Sequence, residues 1–102
     1  MNFQLVIQFR PTAAVDFDQV IKIEDAIATQ LGESASVDGH DIGDEECNVF
    51  ILTDNPTGSF QRIQKLLQEQ KPEGTMNVAY RDTGAEDYVV LWPPNLREFT
   101  VA

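Results

Sequence analysis

A chain of 102 residues with 42% hydrophobic and 24% charged side chains has the size and composition of one globular domain spanning residues 1–102, and not of a disordered chain. Its formal charge of -10 at pH 7 argues against direct binding to nucleic acid or an anionic membrane, because both present phosphate groups. Cys47 is the only cysteine, so no internal disulfide can form. Since the first ten residues also lack the pattern of a secretory signal, we expect a cytoplasmic protein.

The N-terminal residues 2–10 predict a half-buried strand, because apolar and polar side chains alternate along them. Val6 is the one apolar residue on the polar side of this strand. Pro11 follows and is expected to end the pairing, since proline has no backbone N–H.

Residues 16–31 predict the first helix from two signals at its start. Asp16 and Gln19 have the spacing of a capping box, and Val15 and Val20 have the spacing of a hydrophobic staple. Apolar residues then recur at helical spacing, which indicates one buried face.

The middle of the chain predicts two strands around a polar turn. Residues 35–40 alternate weakly, and residues 47–53 (CNVFILT) form a nearly continuous apolar run that is typical of a strand inside a sheet. The segment between them contains one glycine and several acidic residues, which favours a turn.

A second helix is predicted to begin with Asn55 as N-cap and Pro56 in the first turn, and to run to about residue 70. Two further strands, over residues 76–80 and 88–92, could form a terminal hairpin that ends at two prolines. Whether the last part is one strand or a hairpin is left open.

The order βαββαβ predicts an α+β fold of the ferredoxin-like type. In that fold the first and third strands lie in the middle of an antiparallel sheet, and both helices cover one face. The other face must be covered or tolerated, so a homodimer is a further expectation.

Acidic residues are concentrated in the middle of the chain, between Lys22 and Arg62, where no other Lys or Arg occurs. This segment holds nine of the seventeen acidic residues, namely Glu24, Asp25, Glu33, Asp38, Asp41, Asp44, Glu45, Glu46 and Asp54. We therefore expect an acidic face that binds a basic protein partner, with the following contact residues: Asp38, Asp41, Asp44, Glu45 and Glu46.

His40 and Asp41 form the candidate ligand or metal pair in the turn after the weak strand. A calcium loop counted from Asp38 fails at its third, fifth and twelfth positions, and a zinc site would need a second soft ligand besides the predicted buried Cys47. The residues therefore predict no cofactor and leave a metal open. His40 could also act as a general base oriented by Asp38 or Asp41.

Three weaker candidates have structural explanations that we favour. Thr57 and Ser59 are hydroxyls at a helix start without the surroundings of a nucleophile, and residues 55–59 (NPTGS) fit a capped helix start better than an anion-binding turn. Four residues could line a ligand face but are more typical of core or dimer contacts: Tyr80, Arg81, Tyr88 and Trp92.

Two stretches, VDGHDIGDEECNVFILTDNPTGSF at 37–60 and VAYRDTGAEDYVVLWP at 78–93, resemble a family of small uncharacterised bacterial proteins. The resemblance implies a single cytoplasmic α+β domain with a glycine-bounded His-Asp pair, an Asn-Pro helix start and a Trp-Pro end. It implies no activity and no catalytic residues.

These observations favour a non-catalytic interaction domain over an enzyme, with an immunity or antitoxin-like protein as one version. The alternative is a small ferredoxin-like enzyme or a ligand- or metal-binding domain that uses His40 and neighbouring carboxylates. No catalytic residue is assigned.

Overall fold

Five strands and two helices follow one another in the order βαββαββ in a computed structural model that describes residues 1–13, 16–43 and 45–101. The elements are β1 (Phe3–Pro11), α1 (Phe17–Leu31), a short 3-10 turn (Gly32–Ser34), β2 (Ala35–Ile42), β3 (Cys47–Thr53), α2 (Pro56–Gln70), β4 (Gly74–Asp82) and β5 (Val89–Trp92). This confirms the predicted α+β class. Within the described ranges, neither helix is both long and apolar enough to cross a membrane.

The strands form one antiparallel sheet in the order β2-β3-β1-β4-β5. β1 pairs with β3 on one side and with β4 on the other, so the first and third strands lie inside the sheet as predicted. The terminal hairpin also forms, because β4 and β5 pair with Ala79 opposite Val90. β2 and β5 are therefore the two edge strands.

Both helices begin as their N-cap residues predict. The carboxylate of Asp16 accepts a hydrogen bond from the backbone N–H of Asp18 at 3.1 Å, and Asn55 Oδ1 accepts one from Gly58 N–H at 3.0 Å. Pro56 is the first residue of α2. Val15, the predicted partner in the hydrophobic staple, lies outside the described residues.

Two strands, β2 and β4, extend beyond their predicted ends, and β4 runs from Gly74 to Asp82 instead of over residues 76–80. Pro11 is the last residue of β1 and pairs with Gly74 of β4, so the pairing ends at this proline as expected. β2 continues past residue 40, because Asp41 and Ile42 still have partners on β3. Hydrogen-bonded pairing with β3 therefore keeps Asp41 and Ile42 in the strand, although the sequence around them is typical of a turn.

The main core lies between the helices and one face of the sheet. Its fully buried members include Leu5 and Ile7 of β1, with Ile27 of α1 and Ile63 of α2. The apolar faces of both helices are therefore buried on the same side of the sheet, as their spacing predicts.

A second, smaller cluster lies on the opposite face and was missed by sequence reasoning. Val6, Ala79 and Phe99 are its buried members. Leu96 and Val101 pack against it, so the C-terminal segment (residues 93–101) of the same chain covers part of the sheet face for which we expected a second copy as a possible cover. Val6, the apolar exception of the first strand, contributes to this cluster.

A row of buried amide side chains crosses the same face. Gln8 on β1 lies between Asn48 on β3 and Asn77 on β4, and we call these three residues the amide row. Gln8 Nε2 donates to Asn48 Oδ1 at 3.2 Å and to the carbonyl of Thr100 at 2.8 Å, while Asn77 Nδ2 donates to Gln8 Oε1 at 3.2 Å. The row therefore links three strands to the C-terminal segment.

Candidate functional site

Three exposed carboxylates of the middle segment lie on the edge strand β2 and in the turn that follows it. Asp38 and Asp41 are exposed on β2, and Glu45 is exposed in the turn that follows; we call these three residues the acidic edge. Within residues 1–13, 16–43 and 45–101, none of the three forms an ion pair. The acidic edge is thus a patch of uncompensated negative charge.

Glu46 and Asp54 of this segment have partners within the protein, whereas Asp25 and Glu33 are exposed and form no ion pair in the described part of the chain. Glu46 is only 8% exposed, and its carboxylate accepts hydrogen bonds from Arg10 and Asn48, each at 2.9 Å. Glu46 was predicted to lie on the partner-binding face, but it is buried. Its carboxylate can be buried because Arg10 and Asn48 donate hydrogen bonds to it. Asp54 accepts a hydrogen bond from the backbone N–H of Asn2, and Asp44 lies outside the described residues.

His40 is held by a carboxylate from α1. Its imidazole Nδ1 contacts Glu24 Oε1, and its ring meets that of Phe17 edge-on with 5.5 Å between the centroids. Asp41, the predicted companion of His40, lies next to it on a regular stretch of strand, and consecutive strand residues point to opposite faces. The structure therefore brings His40 to Glu24 and separates it from Asp41.

The position of Glu24 in the sequence already indicates that it is buried. It follows Val20 by four residues and precedes Ile27 by three, which places a carboxylate on the apolar stripe of α1. A buried carboxylate needs a partner, and Glu24 is 9% exposed. The only histidine of the chain is that partner.

A groove of about 430 Å³ lies between α1 and β2, beside the His40 ring. Ile21, Ala28 and Val37 contribute apolar side chains to its lining, and Glu24 and Asp25 contribute carboxylates. An apolar groove with carboxylates in its lining suits a ligand that has an aliphatic part and a cationic end.

Cys47, at the start of β3, is buried and is not activated. Burial, together with the smaller effects of the negative charges of Glu24 and Asp41, raises the pKa of its thiol from 9.0 to about 11. At neutral pH the thiol is therefore protonated and a poor nucleophile or metal ligand. Among the residues that the structure describes, no group of three or more His, Cys, Asp or Glu side chains is placed to hold a metal ion.

The raised pKa of Cys47 predicts a loss of stability in alkaline solution. Between pH 9 and about 11 the unfolded thiol releases its proton while the folded thiol keeps it, so the free energy of unfolding falls as the pH rises through this window. Urea unfolding at a series of pH values measures this slope. The Cys47→Ala variant should show a shallower decline, because lysines and tyrosines titrate in both proteins; equal slopes would contradict the prediction.

A second groove, of about 390 Å³, lies at the start of α2, and polar side chains that line it form hydrogen bonds within the protein. Arg62 donates to Ser34 Oγ and to the carbonyl of Gln30, each at 2.8 Å, and the hydroxyls of Thr53 and Ser59 lie 2.8 Å apart. Its polar groups bind one another, which fits the favoured interpretation of a capped helix start.

The four aromatic and basic candidates near the C-terminus do not converge on one surface. Tyr80 packs edge-on to Phe3, with 5.7 Å between the centroids, and belongs to the main core together with Trp92. Tyr88 contacts Phe99 in the second cluster, at a centroid distance of 4.9 Å. Arg81 donates to Gln4 and to the carbonyl of Ala85. These roles are structural.

Comparisons with protein-family models, with curated proteins and with solved structures found no match for this chain.

Proposed function

We propose that this chain is a non-catalytic, cytoplasmic interaction domain that binds a basic protein partner through the acidic edge. One observation carries the proposal: Asp38, Asp41 and Glu45 are exposed together at an outer strand and form no ion pair within the described ranges. An immunity protein that neutralises a basic toxin is one form of this function.

The physical basis is the local field of the acidic edge. Three carboxylates on one strand and its turn attract a cationic surface and increase the rate of encounter, and the attraction weakens as salt screens it. The net charge of -10 adds a long-range component of the same sign. Strong salt dependence is therefore expected.

The proposal includes a single domain of ferredoxin-like type related to small uncharacterised bacterial α+β proteins. Adjacent β1 and β3 inside the sheet and two helices packed on one face support that fold type. A homodimer formed through the sheet would use the part of the second face that the C-terminal segment leaves uncovered.

Neutralising the acidic edge should weaken partner binding without unfolding the protein. We expect Asp38→Asn, Asp41→Asn and Glu45→Gln together to weaken capture of a basic protein by at least about tenfold at low ionic strength, since three favourable charge contacts are lost. Capture on the immobilised chain, identification of the bound protein and direct titration measure the effect.

The matched control removes three charges elsewhere, with Glu69→Gln on α2 and Glu86→Gln and Asp87→Asn in the loop before β5, all exposed. This control should bind nearly as well as the unchanged chain. Equal weakening in both triple variants would show that only net charge matters, and failure to capture any basic protein would refute the proposed function.

The alternative function is a small ligand-binding domain or enzyme that uses His40 and Glu24. The specific observation in its favour is their contact beside the groove between α1 and β2, because a carboxylate that holds one imidazole nitrogen orients the other for proton transfer or binding. Native mass spectrometry of the purified protein and thermal shifts across metals and metabolites test it. A bound species that His40→Ala loses would favour it over the interaction domain.

A further inference from the structure

We propose that the acidic edge binds its partner by strand addition: an extended basic segment of the partner pairs with the free side of β2, and one of its Lys or Arg side chains enters the groove between α1 and β2. This inference rests on the proposed function and specifies how the basic partner is bound.

The two edges of the sheet differ in what they offer to another strand. β2 is eight residues long and pairs only with β3 among the described strands, so its outer side presents backbone N–H and C=O groups over about 26 Å. β5 at the other edge has only four residues and is followed by Pro93 and Pro94. Strand addition is therefore favoured at β2.

The groove lies on one face of this edge and matches a basic side chain. Its lining residues Ile21, Ala28 and Val37 can pack against the aliphatic stem of a lysine or arginine. Asp25 is exposed beside them and forms no ion pair in the described part of the chain, so its carboxylate is available to the charged end. The carboxylate of Glu24, which also lines the groove, is already bound by the imidazole of His40.

The opposite face of β2 also carries negative charge, and this specifies the partner further. Asp41 points away from the groove, because it is adjacent to His40 on a regular stretch of strand. Consecutive residues of an added strand likewise point to opposite faces. A segment with two neighbouring basic residues can therefore place one in the groove and the other beside Asp41.

Exposed large apolar side chains lie at the same edge. Phe17 is 56% exposed and Ile42 is 38% exposed, and Phe17 packs against the ring of His40. β2 also carries charged residues and a bulge between Val37 and Gly39, and such features can prevent an edge strand from pairing with another chain. The exposed side chains of Phe17 and Ile42 do not prevent pairing in this way, and a bound partner segment would cover them.

The test uses ten-residue synthetic peptides with a central Lys-Lys pair flanked by alternating threonine and valine. Two methylated forms carry N-methyl groups on one or the other alternate set of backbone amides, so charge and sequence are unchanged. Successive amides of a strand point to opposite sides, and only one set can face β2. We expect the unmodified peptide to bind at low ionic strength, one methylated form to bind at least about tenfold more weakly, and the other to bind equally well.

Protein variants test the groove separately. Asp25→Asn should weaken binding of the unmodified peptide at least about fivefold, whereas Asp87→Asn, a matched change near the other edge of the sheet, should leave it unchanged. Ala28→Phe, at an exposed position of α1, fills the groove without changing charge and should weaken binding to a similar extent. Equal affinity of Asp25→Asn and Asp87→Asn would overturn the role of the groove.

The outcomes separate this inference from the proposed function. If both methylated forms bind as well as the unmodified peptide, strand addition is wrong, while continued loss of binding in the acidic-edge triple variant keeps the interaction domain. If basic proteins are captured but no peptide binds, strand addition is likewise wrong. If neither peptides nor basic proteins bind, both proposals fall.

Discussion

Replacing Phe99 with alanine is expected to lower the free energy of unfolding by about 3 kcal/mol, a large effect for a residue so close to the C-terminus. Phe99 is 9% exposed and packs with Val6 and Ala79 in the second cluster, where its ring also contacts Tyr88. Truncation removes this buried area and leaves a cavity or an exposed patch on the sheet.

Exposure of that patch should also change the oligomeric state. Without the C-terminal segment, Val6, Phe50 and Ala79 would lie on an open apolar sheet surface, which favours association of two copies. A chain that ends at residue 95 is therefore expected to elute as a dimer in size-exclusion chromatography.

Urea unfolding measures the free energy of unfolding, and light scattering measures the oligomeric state. Substitutions of the exposed neighbours Arg97 and Glu98 are the controls for stability. Arg97→Ala and Glu98→Ala should each change the free energy of unfolding by less than about 0.5 kcal/mol. A Phe99→Ala variant as stable as these controls would show that the C-terminal segment is not part of the core.

Replacing Gln8 with alanine is expected to cost about 3 kcal/mol of folding free energy, although glutamine is usually a surface residue. Gln8 is 2% exposed and serves three partners at once, namely Asn48, Asn77 and the carbonyl of Thr100. Its loss leaves buried polar groups without a hydrogen bond and releases the C-terminal segment.

Gln4 provides a matched control on the same strand and the same face. It is half-buried and accepts a hydrogen bond from Arg81 at 3.0 Å, beside solvent that can replace the lost group. Gln4→Ala should therefore cost less than about 1 kcal/mol in urea unfolding. Equal losses for the two variants would mean that the amide row has no special role.

The amide row also explains how acidic residues that are adjacent in sequence acquire different roles. Asn48 donates to Glu46, which Arg10 also binds, so this carboxylate is compensated inside the protein. Glu45, one residue earlier, is exposed and remains in the acidic edge. Substitutions at Glu46 should therefore act through stability, and substitutions at Glu45 through binding.

Much of the secondary structure could be predicted from the sequence, because its causes are local. The caps Asp16 and Asn55 and the spacing of apolar residues predict both helices, and the apolar run at 47–53 predicts an interior strand. Strand ends were less well predicted, since Thr75 is held in the sheet by Arg10, which is distant in sequence, and Asp41 is held by Asn48 across the intervening turn.

The charge, the α+β class and the order of the elements are properties of the sequence alone, because composition and local periodicity determine them. Only the tertiary structure decided which carboxylates face solvent, that His40 meets Glu24, and that the C-terminal segment covers the second face through Phe99. These contacts join residues far apart along the chain, and the partner of a buried polar or apolar group depends on how the strands and helices pack.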